Sequence, residues 1–581
     1  MLAAIFGIPL ARGALLQGDL PGHLEAIRAS AERFWPLPWG WDPRYLGGAP
    51  VGILYPPLTT WVGAALAKIA GPEGGLTALL VAAVALTPVA LHAAARGLGL
   101  RAREAGWAVP LAVAVLWLPG RGLGGSWHQT FVAGNAANAV ALPLLAMVLA
   151  TARRGLGRPA CWAAPGAWLA LTVMTHFLAG LAAAAVLVGW TLPGIGRRAV
   201  RRRAAAIAAV GCGGSAPFVV PFVRHLSEAS PDGLPFAPPP SAAEWVAWAA
   251  LAGAVALAGR RGRQALGGAA VAVTVVLLAR AFVFPLVGPP PVRMEYHRFR
   301  LYAYLALVPA AALALRRRAK PRFHRAGTVA ALALVGTLAL FARYDAAGPP
   351  RVALPEVASL AAPGTRVLVL ASPSAQAGSW HGAQLGIPSA SGVPGVKGLF
   401  VEAAPAARRA FELERIASGP EAHPRWWAIA IDDPERLRAL TDEQVAVRLA
   451  EFAVGVVVSR EPVSPAIERL ASGGARDLGD GWLAYAMPPV PRVVSLDLDL
   501  GDAHGALRLP IAAFSDWRVA GDAVLGRAAH GFVSVEGRGR VRLEIGPRLE
   551  EWTGLAIGLA TWGWLLAVGF YRYRAAMRAS S

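Results

Sequence analysis

The segment "QGDLPGHLEA", residues 17 to 26, follows an apolar run and sets Asp19 and His23 four residues apart. On a helix that spacing puts a carboxylate and an imidazole on one face. Such a pair can share a proton, bind a metal ion, or take the proton from an acceptor hydroxyl. Asp19 ahead of Pro21 also suits an N-cap, and Glu25 in the first turn suits the helix dipole. Capping accounts for the aspartate but leaves His23 unexplained.

A second polar cluster is "VRMEYHRFRLYAYL", residues 292 to 305, in which Arg298 and Arg300 flank Phe299 beside Arg293, Glu295 and His297. Guanidinium offers a planar fork of donors, which suits a phosphate or diphosphate headgroup. The plainer reading is an interfacial cap with Tyr296, Tyr302 and Tyr304 in an aromatic belt. His128 in "GGSWHQTFVAGNAAN", Asn135 in the same stretch, His176 in "VMTHFLAG" and Asp42 in "WDP" fall at expected helix ends or in loops. A lone histidine there is more often a packing residue than a ligand. Arg280 sits inside an apolar run, where it must pair or snorkel.

These residues need elements to position them, and composition names the kind. Of 581 residues 55% are hydrophobic and 16% charged, with a mean hydropathy of +0.47, far from a soluble globular average. Apolar runs fall near 1 to 16, 75 to 95, 105 to 120, 134 to 151, 160 to 174, 177 to 193, 204 to 222, 243 to 259, 265 to 287, 301 to 315, 326 to 342 and 552 to 570. That is about twelve candidate spans of an α-helical polytopic membrane protein.

The net charge of +21 comes largely from arginine clusters in alternate connections, at 96 to 103, 153 to 158, 197 to 203, 260 to 263, 316 to 325 and in the tail. Positive charge in every second loop marks the cytoplasmic side, which explains the basicity without nucleic acid. The remaining connections then face outward, including the loop 17 to 74 and the region 343 to 551. Asp19, His23, Asp42, His128, Asn135, His176, Glu295, His297, Arg298 and Arg300 all map to that outer face or its membrane boundary. The segment "YPPLTTWVGAALAKIAG" (55 to 71) reads as an interfacial helix rather than a crossing, with Trp35, Trp39, Trp41 and Trp61 as interfacial anchors.

Residues 343 to 551 change character. "RVLVL" (366 to 370), "WWAIAI" (426 to 431), "VGVVVS" (454 to 459), "RVVSLDLDL" (492 to 500) and "RVRLEI" (540 to 545) read as strands, and "PERLRALTDEQVAVRLAEFA" as helix. The expected organisation is a transmembrane core over 1–342, an extracytoplasmic α/β region over 343–490, a β-sandwich-like piece over 491–551, and a last span with a basic cytoplasmic tail over 552–581. Cys161 and Cys212 lie in or beside apolar runs and imply no disulfide framework or zinc site. The N-terminal "MLAAIFGIPLARGALLQG" is read as a first anchor.

The succession "GDLPGH", a tryptophan-rich loop, "GGAPVGILYPPLTTW", "THFLAG" and "EYHRFR" resembles the bacterial and archaeal membrane proteins labelled 6-pyruvoyl-tetrahydropterin synthase-related. These look like members of the GT-C superfamily of glycosyltransferases. The stretch from "FSDWRVAGDAVLG" to the last span is similar to the outer β module of YfhO-like membrane proteins, with "SDW" where Pro-Gly-Trp is common. The resemblance implies a GT-C fold and inverting transfer of a sugar from a polyprenyl-phosphate-linked donor to an extracytoplasmic glycan, lipid or protein. It further implies residence in the inner (cytoplasmic) membrane, and the arginine alternation sets the large C-terminal region outside and the C-terminus in the cytoplasm.

In GT-C enzymes an acid in the first outward loop activates the acceptor, and its match here is Asp19. His23 would orient it. Asp42, His128, His176, Glu295, His297, Arg298 and Arg300 are candidate substrate-binding residues, the last three of them for the leaving phosphate. No cofactor is implied with certainty. The first loop lacks an adjacent pair of carboxylates, so a divalent metal would need a second carboxylate such as Asp42. Two further classes fit the same residues: a transporter or flippase for a lipid-linked saccharide, which would carry inverted repeats, and a non-catalytic envelope-polysaccharide assembly protein.

Overall fold

The computed structural model describes residues 19–46, 48–116, 135–228, 302, 308, 312, 354–370, 379–397, 406–419, 437, 439–488, 497–499, 507–512, 514, 517–528, 532–545 and 548–580. His128, Arg280, Glu295, His297, Arg298 and Arg300 lie outside them, as do most of the expected spans before 19 and between 243 and 342. Helices dominate the first part: α1 (Leu20–Ala29), α2 (Leu58–Gly97), α3 (Ala108–Leu116), α4 (Ala136–Gly157), α5 (Ala163–Thr175), α6 (Phe177–Thr191) and α7 (Arg198–Arg224). The chain closes with α8 (Leu549–Ser580). Among the described residues five helices are long and apolar enough to cross a membrane, and the chain is a membrane protein.

Helix α2 is two helices joined at Gly71, whose backbone (φ 74°, ψ 165°) only glycine adopts without strain. The following Pro72 forces an extended residue before it and starts the second helix at its favoured first position. The chain doubles back there: a Cβ on Gly75 would lie 2.7 Å from the Gly63 carbonyl oxygen and 2.8 Å from the Ala67 nitrogen. The segment expected at the interface is thus separate from the span that follows it, in agreement with the sequence reading.

Among the described residues the arginine loops collect at one end of the bundle. Arg153 donates to the Leu98 carbonyl (2.6 Å), Arg203 to that of Leu156 (2.8 Å), and Arg572 to that of Ala160. The C-terminal ends of α2 and α4, the start of α7 and the far part of α8 therefore meet. At the opposite end the His176 break between α5 and α6 meets the end of α7, where Phe177 packs 5.4 Å from Phe222. There the end of α7 also pairs with the start of α8, through Arg224 to Glu550 (3.2 Å) and His225 to Glu551 (3.0 Å).

Beyond the bundle lies a four-stranded sheet, β3 (Arg366–Leu370), β4 (Val454–Ser459), β5 (Ala475–Gly479) and β6 (Trp482–Ala486), in the order β3-β4-β6-β5; β1 and β2 are the short pair Gly40–Asp42 and Ala49–Val51. β3 runs parallel to β4, and the other pairs are antiparallel. β4, "VGVVVS", is buried along its whole length, as a central strand covered on both faces must be. The helix Asp442–Glu451 that leads into β4 carries a capping box between Thr441 and Gln444.

Two three-stranded antiparallel sheets follow. One orders β10 (Ala523–Arg527), β11 (Phe532–Gly537) and β8 (Leu507–Ala512), and the other β7 (Asp497–Asp499), β12 (Arg540–Ile545) and β9 (Trp517–Ala520).

The first loop is built into these sheets. Trp39, Trp41, Tyr45 and Leu46 share one apolar cluster with Leu368, Val457, Phe514 and Trp517. Trp39 and Trp41 are 3% and 7% exposed, and Trp41 packs edge-on to Trp517 at 5.1 Å. Both were expected as interfacial anchors; instead they are core residues of the outer part, because its sheets offer an apolar surface that excludes water more completely than a headgroup layer does. Trp35 and Trp61, 5.6 Å apart, stay partly exposed.

Candidate functional site

Asp19 stands at the N-terminus of α1 and His23 one turn on, where its backbone nitrogen donates to the Asp19 carbonyl (3.1 Å). The Asp19 side chain makes no capping hydrogen bond to α1. His23 is 3% exposed and Asp19 partly exposed. Leu20 and Leu24 share an apolar cluster with Ala136 and Ala139 at the start of α4.

That start of α4 carries a hydrogen-bonded trio. Tyr302 Oη bonds Asn138 Oδ1 and lies 3.2 Å from His176 Nδ1, with all three residues buried. His176 interrupts the helix pair in extended conformation (φ −155°, ψ 116°) and caps α6 by accepting the Ala179 N–H at 3.4 Å. His176 thus sits at a helix end, as expected, and has a polar neighbour there that the sequence did not reveal. Tyr302 was expected in an aromatic belt; it is 2% exposed, because its hydroxyl finds two buried polar partners.

Asp42 does not approach this trio as an isolated second carboxylate. Its Oδ1 accepts from Arg44 Nε (3.0 Å) and from the Arg44 backbone (3.1 Å), and its Oδ2 from Arg44 Nη2 (3.2 Å). Arg44 in turn pairs with Glu25 (2.8 Å), and Glu25 also takes Arg28 and the Ser389 hydroxyl (2.6 Å). Burial alone would lower the Arg44 guanidinium, but Asp42 and Glu25 together hold it well above its ordinary value. Burial, with Glu25 and Asp42 adding to it, pushes the neighbouring Tyr45 hydroxyl up in the same way.

Glu25, which the sequence offered only as a dipole partner, is therefore the hub that ties α1 to the first loop and to the helix Ser379–Ser391. Arg366 completes the tie: fully buried, it donates to the Pro43 carbonyl (2.8 Å) and the Phe452 carbonyl (3.1 Å), and burial lowers its pKa to about 10 against the pull of Asp42. Among the described residues no three His, Cys, Asp or Glu side chains come together to hold a metal ion.

A second buried polar knot lies at this end. His225, 1% exposed, places Nδ1 3.0 Å from Glu228 and Nε2 3.0 Å from Glu551 while its ring stacks on Phe514 at 4.8 Å. It joins α7, α8 and the outer sheets in one contact. Sequence reasoning missed it, since Glu551 is 326 positions away.

No protein-family profile matches the chain. No curated protein matches it at a significant level. Solved structures do. The cryo-EM structure of the arabinofuranosyltransferase AftD from mycobacteria aligns over 84% of this chain and 39% of its own, with a TM-score of 0.50 and 18% identity. ArnT from Cupriavidus metallidurans, solved bound to undecaprenyl phosphate, aligns over 83% of this chain and 96% of its own, with a TM-score of 0.43 and 16% identity. The archaeal oligosaccharyltransferase AglB from Archaeoglobus fulgidus, in complex with an inhibitory peptide and a dolichol-phosphate, aligns over 79% and 68%, with a TM-score of 0.43 and 15% identity. The likeness to AftD shows a shared fold, and this chain spans about two-fifths of that enzyme's length.

Proposed function

We propose that this chain is a GT-C glycosyltransferase that moves a sugar from a polyprenyl-phosphate-linked donor to an acceptor hydroxyl outside the cytoplasmic membrane, with inversion. The acceptor oxygen bonds to the anomeric carbon as the bond from that carbon to the phosphate oxygen breaks, and the polyprenyl phosphate leaves. Asp19 takes the proton of the acceptor hydroxyl, and His23 orients it. His297, Arg298 and Arg300 balance the charge that develops on the leaving phosphate, as cations at a departing oxyanion do. Glu295, His128 and His176 belong to the same substrate surface, while Asp42 acts through Arg44 on the shape of the loop.

The observation that carries this reading is the placement of α1, with Asp19 and His23, at the same end of the bundle as the Asn138–Tyr302–His176 trio. Arg300 precedes Tyr302 by two positions in the sequence. The arginine clusters among the described residues occupy the other end, which the positive-inside rule assigns to the cytoplasm, and α8 then ends on the cytoplasmic side. The fold shared with AftD agrees with the reaction type.

The test uses the purified full chain with a radiolabelled polyprenyl-phosphate sugar. The Asp19→Asn variant is expected to retain donor binding and lose transfer. Normal transfer by that variant overturns the role of Asp19, and net movement of intact donor across a vesicle membrane without transfer favours a flippase instead.

A further inference from the structure

At the end of the bundle opposite the candidate site, an apolar groove of about 350 Å³ opens between α6 and α7. Its walls include Leu156, Leu169, Leu187, Val188, Leu192 and Ile207, and the small residues Ala204, Ala205 and Ala208 leave the space on the α7 side. Val188 and Leu192 are each 52% exposed. The volume is that of a ligand pocket rather than a packing defect.

The mouth is strongly cationic. Arg201 donates to the carbonyl of Ile195 (3.1 Å) and Arg203 to that of Leu156 (2.8 Å), and both carbonyls belong to residues that line the groove. Two guanidinium groups are thereby held at its rim, each with further N–H donors to offer. Arg197, Arg198 and Arg202 are exposed on the same turns. Between Glu104 and Glu228 the sequence contains no acidic residue, and among the described residues none of these five arginines makes an ion pair. Orientation alone asks for positive charge on this side; it does not ask for that charge to be pinned at the mouth of an apolar slot.

We infer that this groove is a binding site for one anionic phospholipid of the surrounding leaflet, an acyl chain lying in the groove and the phosphate held by Arg201 and Arg203. The two halves of such a lipid match the two halves of the site. The acyl chain covers apolar surface that helices leave open, and the headgroup supplies the negative charge that the protein lacks there. A zwitterionic lipid matches the groove but not the rim, because its ammonium meets the same arginines. The site is far along the bundle from Asp19 and independent of the transfer reaction.

The full chain, delipidated in detergent, would be titrated with phosphatidylglycerol and with phosphatidylcholine of identical chains, and bound lipid counted by native mass spectrometry. One phosphatidylglycerol per chain with about a tenfold preference over phosphatidylcholine is expected. The double variant Arg201→Gln/Arg203→Gln should abolish the preference. Ala208→Trp, which adds bulk inside the groove at an exposed position, should lower binding of both lipids while leaving the arginines in place. Equal binding of the two lipids to the unaltered chain, or phosphatidylglycerol binding that Ala208→Trp leaves unchanged, overturns the inference. Displacement of phosphatidylglycerol by equimolar polyprenyl phosphate overturns it in favour of a substrate subsite.

Discussion

At the scale of single residues, the polar groups at the candidate site divide into those that hold shape and those to which the proposed reaction gives a role. Asp42 and Glu25 hold shape, since both are engaged by Arg44. Asp19 makes no side-chain capping bond to its helix, and Asp19→Asn removes its charge without changing its size. Asp19→Asn is expected to cut transfer by about a hundredfold to ten-thousandfold, the usual contribution of a general base, with unchanged thermal unfolding as the control. Tyr302→Phe makes the opposite test. It strips the hydroxyl between Asn138 and His176, and leaving those buried groups short of a partner should cost about 1–3 kcal/mol of stability, read as a lower unfolding midpoint in detergent. That Asp19 and His176 stand at helix ends was legible in the sequence, because loop position and helix breaks are local. Asn138 and Tyr302 were not, because a polar residue in an apolar run reveals its need for a partner but not which distant residue meets it.

At the scale of elements, the break in α2 decides where the first loop ends and the next crossing begins. Gly71 has open space around its missing Cβ, so a methyl group there meets no neighbour and only the backbone resists. Gly71→Ala should therefore cost about 1–3 kcal/mol through the backbone conformation (φ 74°, ψ 165°) alone, read as a lower unfolding midpoint of the full chain in detergent. A second element-level joint is Lys397 with Glu414 and Gln384, buried together beside the four-stranded sheet. Burial pulls the Lys397 pKa down and the Glu414 carboxylate pulls it back up. Lys397→Met strands the carboxylate and is expected to lose about 3–5 kcal/mol, whereas Lys397→Met with Glu414→Leu should recover most of it; thermal unfolding of the full chain compares the two. A double variant no better than the single one would show that the ion pair itself, not its broken half, stabilises the joint.

At the scale of the whole molecule, arginines at one end and the acid, histidine and tyrosine groups at the other make a molecule with two chemically different faces. A reporter fused after α8 should be active only in its cytoplasmic form, and one inserted in the exposed turn at Gly473 and Gly474, where added atoms meet nothing within 4 Å, only in its extracytoplasmic form. His225 links those faces' builders, with Glu551 and Phe514 around its ring. The sequence by itself determined the membrane class, the arginine alternation and the strands "RVLVL", "VGVVVS" and "RVRLEI", because hydropathy, charge and backbone preference act within a few residues. Only the tertiary structure decided that Trp39 and Trp41 belong to the core of the outer sheets, that Glu25 is a hub, and that His225 meets Glu551. Those outcomes depend on which surfaces the folded chain brings together across hundreds of positions, and no local preference of a residue records its distant partner.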